Sequence, residues 1–384
     1  MVQILKNDRQ AFKNSANDIN AMMAGKLWAA TREESVDHLT VPDCLRMLCN
    51  AHDAIFDVPD SKRFERTCAF DNDSLLFRAA FGNAAIVETF STVIGNAMLQ
   101  AVEDEPSTTD GWVYEGSLPH FLGATWFTQE FAARLERLTR GGTANQTSFS
   151  TKGEPIQLCR YASQFVIDET DWIDGQATVG AVKLAASEQA VAAARLKEDL
   201  IYSLLLSSPT LTADNTALFH SSHSNLATGG GSPLSATSLD AAIAAIGKQH
   251  LKAEQDKFPT HANLKARYLI VPPDLVGPAR RAVRNMILDD KEDLKVRQES
   301  RLSAIGVVDP HSGTVYTGSA TNFLVAAKAS SRPSIVVAGL NGPPTPRIRS
   351  FVLDKGQFGL GWDICLDIAA IACDFRAIYF SVGA

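Results

Sequence analysis

The sequence predicts an α+β protein, because helical and strand-like patterns both occur but do not alternate strictly along the chain. Two observations support this most directly. A pair of extended segments with a polar tip spans residues 127–167, and one long helical pattern follows at 177–207. Short strand patterns then dominate after residue 323. The chain has 384 residues, 45% hydrophobic and 21% charged, an ordinary globular composition that suggests two or three domain-sized pieces.

Helices are predicted near the start of the chain. Two short ones are expected near Ile19–Thr31 and Pro42–Ala54, and Pro42 suits the first turn of the second. A longer helix is expected at Ala84–Glu103, where apolar residues recur every three or four positions. Because Glu88 and Asn96 interrupt this apolar stretch, the helix is expected to be buried in protein and not to span a membrane.

The next feature is a predicted long hairpin at Phe127–Ile167. Gly141–Ser150 is small and polar, and Ile156–Ile167 is rich in β-forming residues, so two extended limbs should flank a flexible tip. Its tip has too little apolar content to fold onto a core by itself, so the hairpin should lie on a neighbouring molecule or in solvent. Lys152 at the tip is expected to be solvated; the alternative is attack on a side-chain amide of a neighbouring subunit.

The clearest element is the helix predicted within Ala177–Ser207. Leu196, Leu200 and Leu204 recur every four residues, and Ile201 and Leu205 continue the same apolar face. The stretch from residue 181 to 206 would be about 40 Å long at 1.5 Å per residue. Pro209 is expected to end it.

Mixed elements are predicted in the second half. The predicted helices are Leu239–Glu254, with a weak capping box formed by Thr237 and Asp240, and Leu275–Leu288. The predicted strands are Tyr268–Val271, Phe323–Ala327, Ile335–Ala338, Ile348–Leu353, Asp363–Ala370 and Arg376–Phe380. Alternation within the fifth strand places Ile364, Leu366 and Ile368 on one face and Asp363, Cys365 and Asp367 on the other.

Composition and motifs argue against several function classes. The net charge of -7 argues against a dedicated nucleic-acid binder, which usually carries a basic surplus. The chain has no P-loop, no GxGxxG fingerprint and no GxSxG elbow, and none of its 6 cysteines forms a CxxC pair. No secretory signal opens the chain, so reduced cysteines and a cytoplasmic protein are expected. We therefore expect no enzyme, no cofactor and no membrane association.

Two groups of candidate site residues remain. His220 and His223, three residues apart, could share a metal, which would suggest a metal-dependent hydrolase; a polar turn with structural histidines is the expected alternative. An acidic cluster precedes the long helix and is expected to be a solvated turn at the helix N-terminus, with acid–base work or calcium binding as the alternative. Its members are Asp168, Glu169, Asp171 and Asp174. No catalytic, cofactor-binding or metal-binding residue is assigned.

Several stretches, in this order and spacing, resemble the major head subunit of Mu-like phages and prophages. They begin with Leu158–Tyr161 and Phe165–Thr170, similar to the family's hairpin return limb. The stretch LKEDLIYSLL at 196–205 closes the long helix, and ALFHSSHSNL follows at 217–226. The remaining stretches are Pro233–Leu239, Tyr268–Leu275 and Phe375–Ala384. The resemblance covers residues 85–384.

The resemblance implies an HK97-like (Hong Kong 97-type) phage capsid fold, in which an extended hairpin called the E-loop precedes a long spine helix. The elements predicted from the residue patterns, a hairpin followed by one long helix, occur in the same order. Mapped onto this sequence, the implied parts are an N-terminal arm at 1–83, the first part of the peripheral domain at 84–134, the E-loop hairpin at 135–170, the spine helix at 171–215, the axial domain at 216–290, peripheral strands at 291–334, and the axial domain with C-terminal strands at 335–384.

The implied function is that of a major capsid protein, which assembles through hexameric and pentameric capsomers into an icosahedral shell around double-stranded DNA. Scaffold, prohead protease, portal and decoration proteins are implied partners, and the implied location is the virion, after assembly in the host cytoplasm. DNA contact should be nonspecific and local, through either of two basic clusters: Arg280, Arg281 and Arg284, or Arg134, Arg137 and Arg140. An encapsulin-like compartment shell is the alternative with the same fold.

Overall fold

The computed structural model describes residues 95–130, 137, 140, 142, 150–168, 179–229, 232–251, 260–286, 294–352 and 359–383. The predicted helices at Ile19–Thr31 and Pro42–Ala54 lie outside these residues. The chain divides into two compact units. The first unit comprises Met1–Glu105, Ala162–Ala194 and Pro346–Leu366; the second unit comprises Pro106–Tyr161, Arg195–Thr345 and Asp367–Ala384. Among the described helices, none combines the length and apolar character needed to cross a membrane.

Helices and strands mix without strict alternation, which confirms the predicted α+β class. Residues 95–104 are helical. The helices that follow are α1 (Val179–Ser207), α2 (Ala236–Gly247) and α3 (Val276–Asn285). The strands are β1 (Tyr114–Leu118), β2 (Ala124–Glu130), β3 (Ser150–Ile156), β4 (Cys159–Asp168), β5 (Thr210–Leu211), β6 (Thr216–Ala217), β7 (Leu226–Ala227), β8 (His250–Leu251), β9 (Thr260–His261), β10 (Ala266–Val271), β11 (Lys295–Gln298), β12 (Val307–Val308), β13 (Val315–Tyr316), β14 (Phe323–Ala327), β15 (Ile335–Leu340), β16 (Arg347–Val352), β17 (Gly359–Ala372) and β18 (Ile378–Ser381).

The main apolar core of the second unit lies on a five-stranded sheet with the order β11-β10-β14-β18-β7. Strands β10 and β14 pair antiparallel at the centre of the sheet, where Leu269 and Val325 are fully buried. Leu239 and Ile246 of α2, and Ala279 of α3, pack into the same cluster. Continuous apolar runs such as Phe323–Ala327 therefore mark central strands, whose residues are buried on both faces.

Helix α1 has 29 residues, about 43 Å at 1.5 Å per residue. Of the predicted apolar face, Leu200, Ile201 and Leu205 are buried, whereas Leu196 and Leu204 are only partly buried. Tyr202, beside that face, is also fully buried. The helix ends because Ser208 adopts a positive φ of 45° and Pro209 cannot continue the hydrogen-bond ladder.

Helix α2 begins earlier and ends earlier than predicted. The capping box is formed by Ser235 and Ser238, whose side chains each accept a hydrogen bond from the other residue's backbone N–H, and not by Thr237 with Asp240. The helix ends at Gly247, and Leu251 already lies in β8. The helix was predicted to continue to residue 254, which is wrong for residues 248–251; residues 252–254 lie outside the described part.

Strand β17 runs through both units and was predicted too short. In the second unit its later half pairs antiparallel with β15, which pairs parallel with β1. The predicted alternation of Ile364 and Leu366 against Cys365 and Asp367 does not separate a buried face from an exposed one, because all four are buried. Both faces of this strand are covered, so its polar members need partners inside the protein.

The first unit contains the helix at residues 95–104 and part of the strand pair β16–β17. Helical residues 95–104 bury Ala97 and Met98, so the described part of the helix predicted at Ala84–Glu103 is helical. Strand β16 pairs antiparallel with the early half of β17. Phe165 stacks on Trp362, with ring centroids 6.0 Å apart. The unit thus combines a helix, an antiparallel strand pair and an aromatic contact.

Candidate functional site at the hairpin base

The described stem of the predicted hairpin is an antiparallel pair of β2 and β3, with Ala124 opposite Ile156 and Glu130 opposite Ser150. The return limb therefore lies earlier than predicted: Ser150–Ile156 forms it, whereas β4 pairs with β17 in another sheet. The residues that join the two strands, apart from three isolated positions, lie outside the described part, as do the surroundings of the Lys152 side chain. The prediction for Lys152 stays a prediction.

The stem has one face on the core and one in solvent. Ala124, Trp126 and Ile156 pack into a second apolar cluster with Leu118, whereas Phe127 is 63% exposed. A Cβ at position 153 would lie 2.1 Å from Cγ2 of Thr125, so glycine here spares the exposed Thr125 side chain a shift. The stem is thus seated at its base and presents an aromatic side chain on its open face.

A buried carboxylate fastens the base of this stem. Glu154 lies opposite Trp126 in the strand register and is only 6% exposed. Its Oε2 accepts a hydrogen bond from Thr212 N, and its Oε1 accepts one from Ala213 N, both 3.0 Å long. Because these amides follow helix α1, Glu154 ties the stem to the loop that leaves the long helix. Charge-assisted bonds of this kind are stronger than neutral ones.

The same loop contains the two candidate histidines. Nε2 of His223 lies 2.7 Å from Oδ2 of Asp214, and the His223 ring stacks on Phe375 with centroids 3.8 Å apart. His220 accepts a hydrogen bond from Ser222 N at Nδ1, and its ring centroid lies 6.2 Å from that of His223. Each histidine is thus engaged by neighbouring protein groups. Among the described residues, no group of three or more His, Cys, Asp or Glu side chains could hold a metal ion.

A cavity of about 750 Å³ adjoins this loop, and its charged lining includes Glu154, Asp214, Lys248, Asp374 and Arg376. The Asp374 carboxylate accepts hydrogen bonds from Arg332 Nε and Arg376 Nη1, so its charge is compensated. Cys373 also lines the cavity. Burial, with the charges of Glu154 and Asp374, raises the pKa of its thiol far above the ordinary value. This thiol therefore stays protonated and is a poor nucleophile.

A second polar cluster is centred on Arg301 of the second unit. Its guanidinium donates to Asp199 at 2.5 Å, to Glu198 at 2.9 Å and to Glu299 at 3.1 Å. Burial lowers the pKa of Arg301, but the hydrogen bond to Asp199 and the three negative charges outweigh it, so the pKa lies above its ordinary value. Thr108 joins the cluster by donating to Glu299 and through its amide to Glu198. The cluster ties the segment near residue 108 to helix α1.

The buried carboxylate of β17, Asp367, forms an ion pair with Arg160. Arg160 donates to Asp367 through Nε at 2.7 Å and through Nη2 at 3.1 Å, a bidentate geometry. The guanidinium also lies 5.1 Å from the ring centroid of Phe121. The Asp367 side chain is almost fully buried and the Arg160 side chain is half exposed. The buried carboxylate thus has a cationic partner, which offsets part of the cost of burying it.

The remaining candidates are the two basic clusters and the acidic cluster before α1. Arg280, Arg281 and Arg284 are exposed on one side of α3. Of the other basic cluster, Arg134 lies outside the described residues, and Arg137 and Arg140 are exposed. Of the acidic cluster, only Asp168 is described, at the exposed end of β4; Glu169, Asp171 and Asp174 lie outside.

The described polar clusters tie segments of one chain to one another, as in a structural protein. The chain belongs to the phage capsid protein family, whose model matches residues 153–381, more than half of the sequence. It is a major capsid protein, which confirms the predicted class of protein. None of the curated proteins matches the chain.

Solved structures similar to this chain include the capsid of the cyanophage P-SCSP1u, with 10% identity, 73% of this chain and 89% of that chain covered, and a TM-score of 0.49. The procapsid of bacteriophage JBD30 has 12% identity, 79% and 76% coverage, and a TM-score of 0.43. The SrpI encapsulin complex of Synechococcus elongatus PCC 7942 has 8% identity, 73% and 93% coverage, and a TM-score of 0.41.

Sequence reasoning missed the anchors Glu154, Asp214 and Arg301. Glu154 was hidden in a Lys-Gly-Glu-Pro stretch assigned to the hairpin tip. No local signal marked it as buried, because glycine and proline flank it and both are depleted in strands. Arg301 gave no local signal, since two of its partners lie about 100 positions earlier in the chain.

Proposed function

We propose that this capsid protein is the major head subunit of a Mu-like tailed phage. In this proposal the chain assembles through hexameric and pentameric capsomers into an icosahedral shell around double-stranded DNA. The proposed parts are those predicted from the sequence, from an N-terminal arm at 1–83 to the spine helix at 171–215. The E-loop hairpin, predicted at 135–170, is instead assigned the stem that β2 and β3 form between Ala124 and Ile156. The single observation that supports it best is the stem formed by β2 and β3, anchored by Glu154 and open to solvent at Phe127.

The proposal assigns the stem a mechanical role. A two-stranded hairpin is marginal in water by itself, so its distal part needs a surface to rest on. An exposed phenylalanine on the stem suits an aromatic anchor in a contact with a neighbouring subunit. The carboxylate of Glu154 fixes the angle at which the stem leaves the core, because it fastens the strand to two consecutive backbone amides. Subunit contact and stem orientation are thereby coupled.

The proposed partners are further copies of the chain, with scaffold, prohead protease, portal and decoration proteins added during assembly in the host cytoplasm. The proposed role includes no catalytic step, no cofactor and no bound metal. Contact with packaged DNA is proposed to be nonspecific.

Glu154→Gln tests the role of the stem. Glutamine keeps the size but replaces one acceptor oxygen with an NH₂ group that faces a backbone N–H, so one anchoring bond is lost. We expect a soluble, folded subunit that forms markedly fewer shells, or shells that dissociate at lower urea concentration, measured by electron microscopy and sedimentation. Glu115→Gln is the matched control, because Glu115 is an exposed carboxylate that pairs with Lys197.

Normal shell yield and stability from Glu154→Gln would show that the anchor has no role in assembly. The nucleic-acid content of purified wild-type shells tests the remainder of the proposal. Double-stranded DNA in shells from infected or induced cells supports a phage head. Shells that enclose only a protein cargo would instead support the encapsulin-like alternative.

A further inference from the structure

We propose that the basic face of helix α3, formed by Arg280, Arg281 and Arg284, is a contact surface for the phosphate backbone of double-stranded DNA. This inference rests on the proposed function in one respect, that the shell encloses DNA. The sequence alone does not decide which of two basic clusters contacts DNA. The structure favours this one because its three arginines lie on a defined helix that packs on the core of the second unit.

The placement follows from helical periodicity. Ala279 and Ala282 of α3 are buried against the sheet, which fixes the rotation of the helix about its axis. Positions 280, 281 and 284 then share the opposite side, since residues three and four apart are neighbours on a helix. All three arginines are exposed. They are rigidly mounted, because the helix that carries them is part of the apolar core.

The three arginines of α3 differ in their ion pairing from other arginines of the second unit. Arg301, Arg160 and Arg376 each pair with a buried carboxylate. In the part of the chain that the structure describes, no salt bridge joins Arg280, Arg281 or Arg284 to an acidic side chain. Three neighbouring positive charges repel one another, so an external polyanion would gain more from this face than from a compensated ion pair. Among the described residues, the face thus has no paired counter-charge.

Phosphate fits this face better than a second copy of the chain does. Interfaces between proteins usually contain apolar or aromatic anchors at their centre. Among the described residues, the exposed large hydrophobic side chains lie on other elements, such as Phe127 on β2 and Ile305 before β12, and none lies on α3. A guanidinium can also bind phosphate oxygens in a bidentate geometry, whereas lysine binds as a point charge.

The affinity should be low and strongly dependent on salt. If all three arginines reach phosphates, the slope of log K against log salt is about −2.7, which corresponds to an affinity loss of about 40-fold between 50 and 200 mM salt. A basic island on a chain with a net charge of -7 therefore gives weak contact at physiological salt. Such contact allows DNA to move along the wall.

The test compares full-length variants in titrations with unrelated DNA duplexes at 50 and 200 mM salt. The triple variant Arg280→Gln, Arg281→Gln, Arg284→Gln should bind at least tenfold more weakly at 50 mM salt and lose most of the salt slope. The triple Arg→Lys variant keeps the charge and should retain most of the binding. Lys248→Gln with Lys328→Gln removes two exposed charges on other elements and should leave binding within about twofold.

Wild-type binding by the triple Gln variant, or a wild-type chain that binds no duplex at 50 mM salt, overturns the proposal. So does a folded triple Gln variant that fails to assemble while its free subunits bind DNA normally, because α3 would then be a subunit contact. The proposed function is tested separately by the DNA content of wild-type shells. Shells without DNA would refute that function, even if the free subunit bound duplexes through α3.

Discussion

Two regions of the second unit are held together by different interactions. Between α2, α3 and the central strands β10 and β14, the contacts are apolar, and Leu269 and Val325 are fully buried. Around Arg301, one guanidinium meets three carboxylates. The apolar core is stabilised by removing area from water, without a specific partner for any side chain. The polar cluster depends on matched charges, so the loss of one member leaves the others buried and unpaired.

The comparison predicts that Arg301→Met is the most damaging single change. Methionine fills much of the same volume but leaves Glu198, Asp199 and Glu299 close together without a cation. We expect the free energy of unfolding to fall by about 3–5 kcal/mol, the range for breaking a buried ion pair. Urea unfolding at pH 7 measures it.

Arg349→Met is the matched control for that change. Arg349 pairs with Asp363 through two hydrogen bonds, but its side chain is 70% exposed. Exposed ion pairs contribute only about 0–1 kcal/mol, and salt screens them. A loss for Arg301→Met as small as that for Arg349→Met would mean that the cluster behaves like a surface ion pair.

The apolar side of the comparison is tested by Leu269→Ala. Removing a fully buried leucine side chain costs about 2–5 kcal/mol, depending on how far the cavity collapses. Leu122→Ala, at a position 72% exposed, serves as the control and should change stability little. Equal losses for Leu269→Ala and Leu122→Ala would show that burial of Leu269 does not stabilise this core.

The same difference explains what could be predicted from the sequence. Apolar runs and periodicity located α1, α3, β10 and β14 within a few residues, because the pattern of burial follows the local sequence. The capping box of α2 was missed since serine at both positions is a weaker signal than the Thr/Asp pair nearby. Polar anchors such as Glu154 depend on groups contributed by distant segments. A single sequence gives no register for such contacts.

The smallest expected effect concerns metal, and it tests whether the histidine loop is a polar anchor like the Arg301 cluster. His223 already has Asp214 at Nε2 and the backbone oxygen of Leu218 3.3 Å from Nδ1, while its ring lies flat on Phe375. A divalent ion would have to displace Asp214 or share it with the ring. Exhaustive dialysis against chelator should therefore leave the melting temperature unchanged within about 1 °C, since a lost structural metal would cost several kcal/mol and shift it by many degrees.

His223→Ala should lower the melting temperature in the same assay, because it removes the Asp214 contact and the ring stack, whereas His220→Ala, at an exposed position, should have little effect. A chelator-induced decrease that added zinc reverses, and that both histidine variants abolish, would instead identify a metal site shared by the two imidazoles.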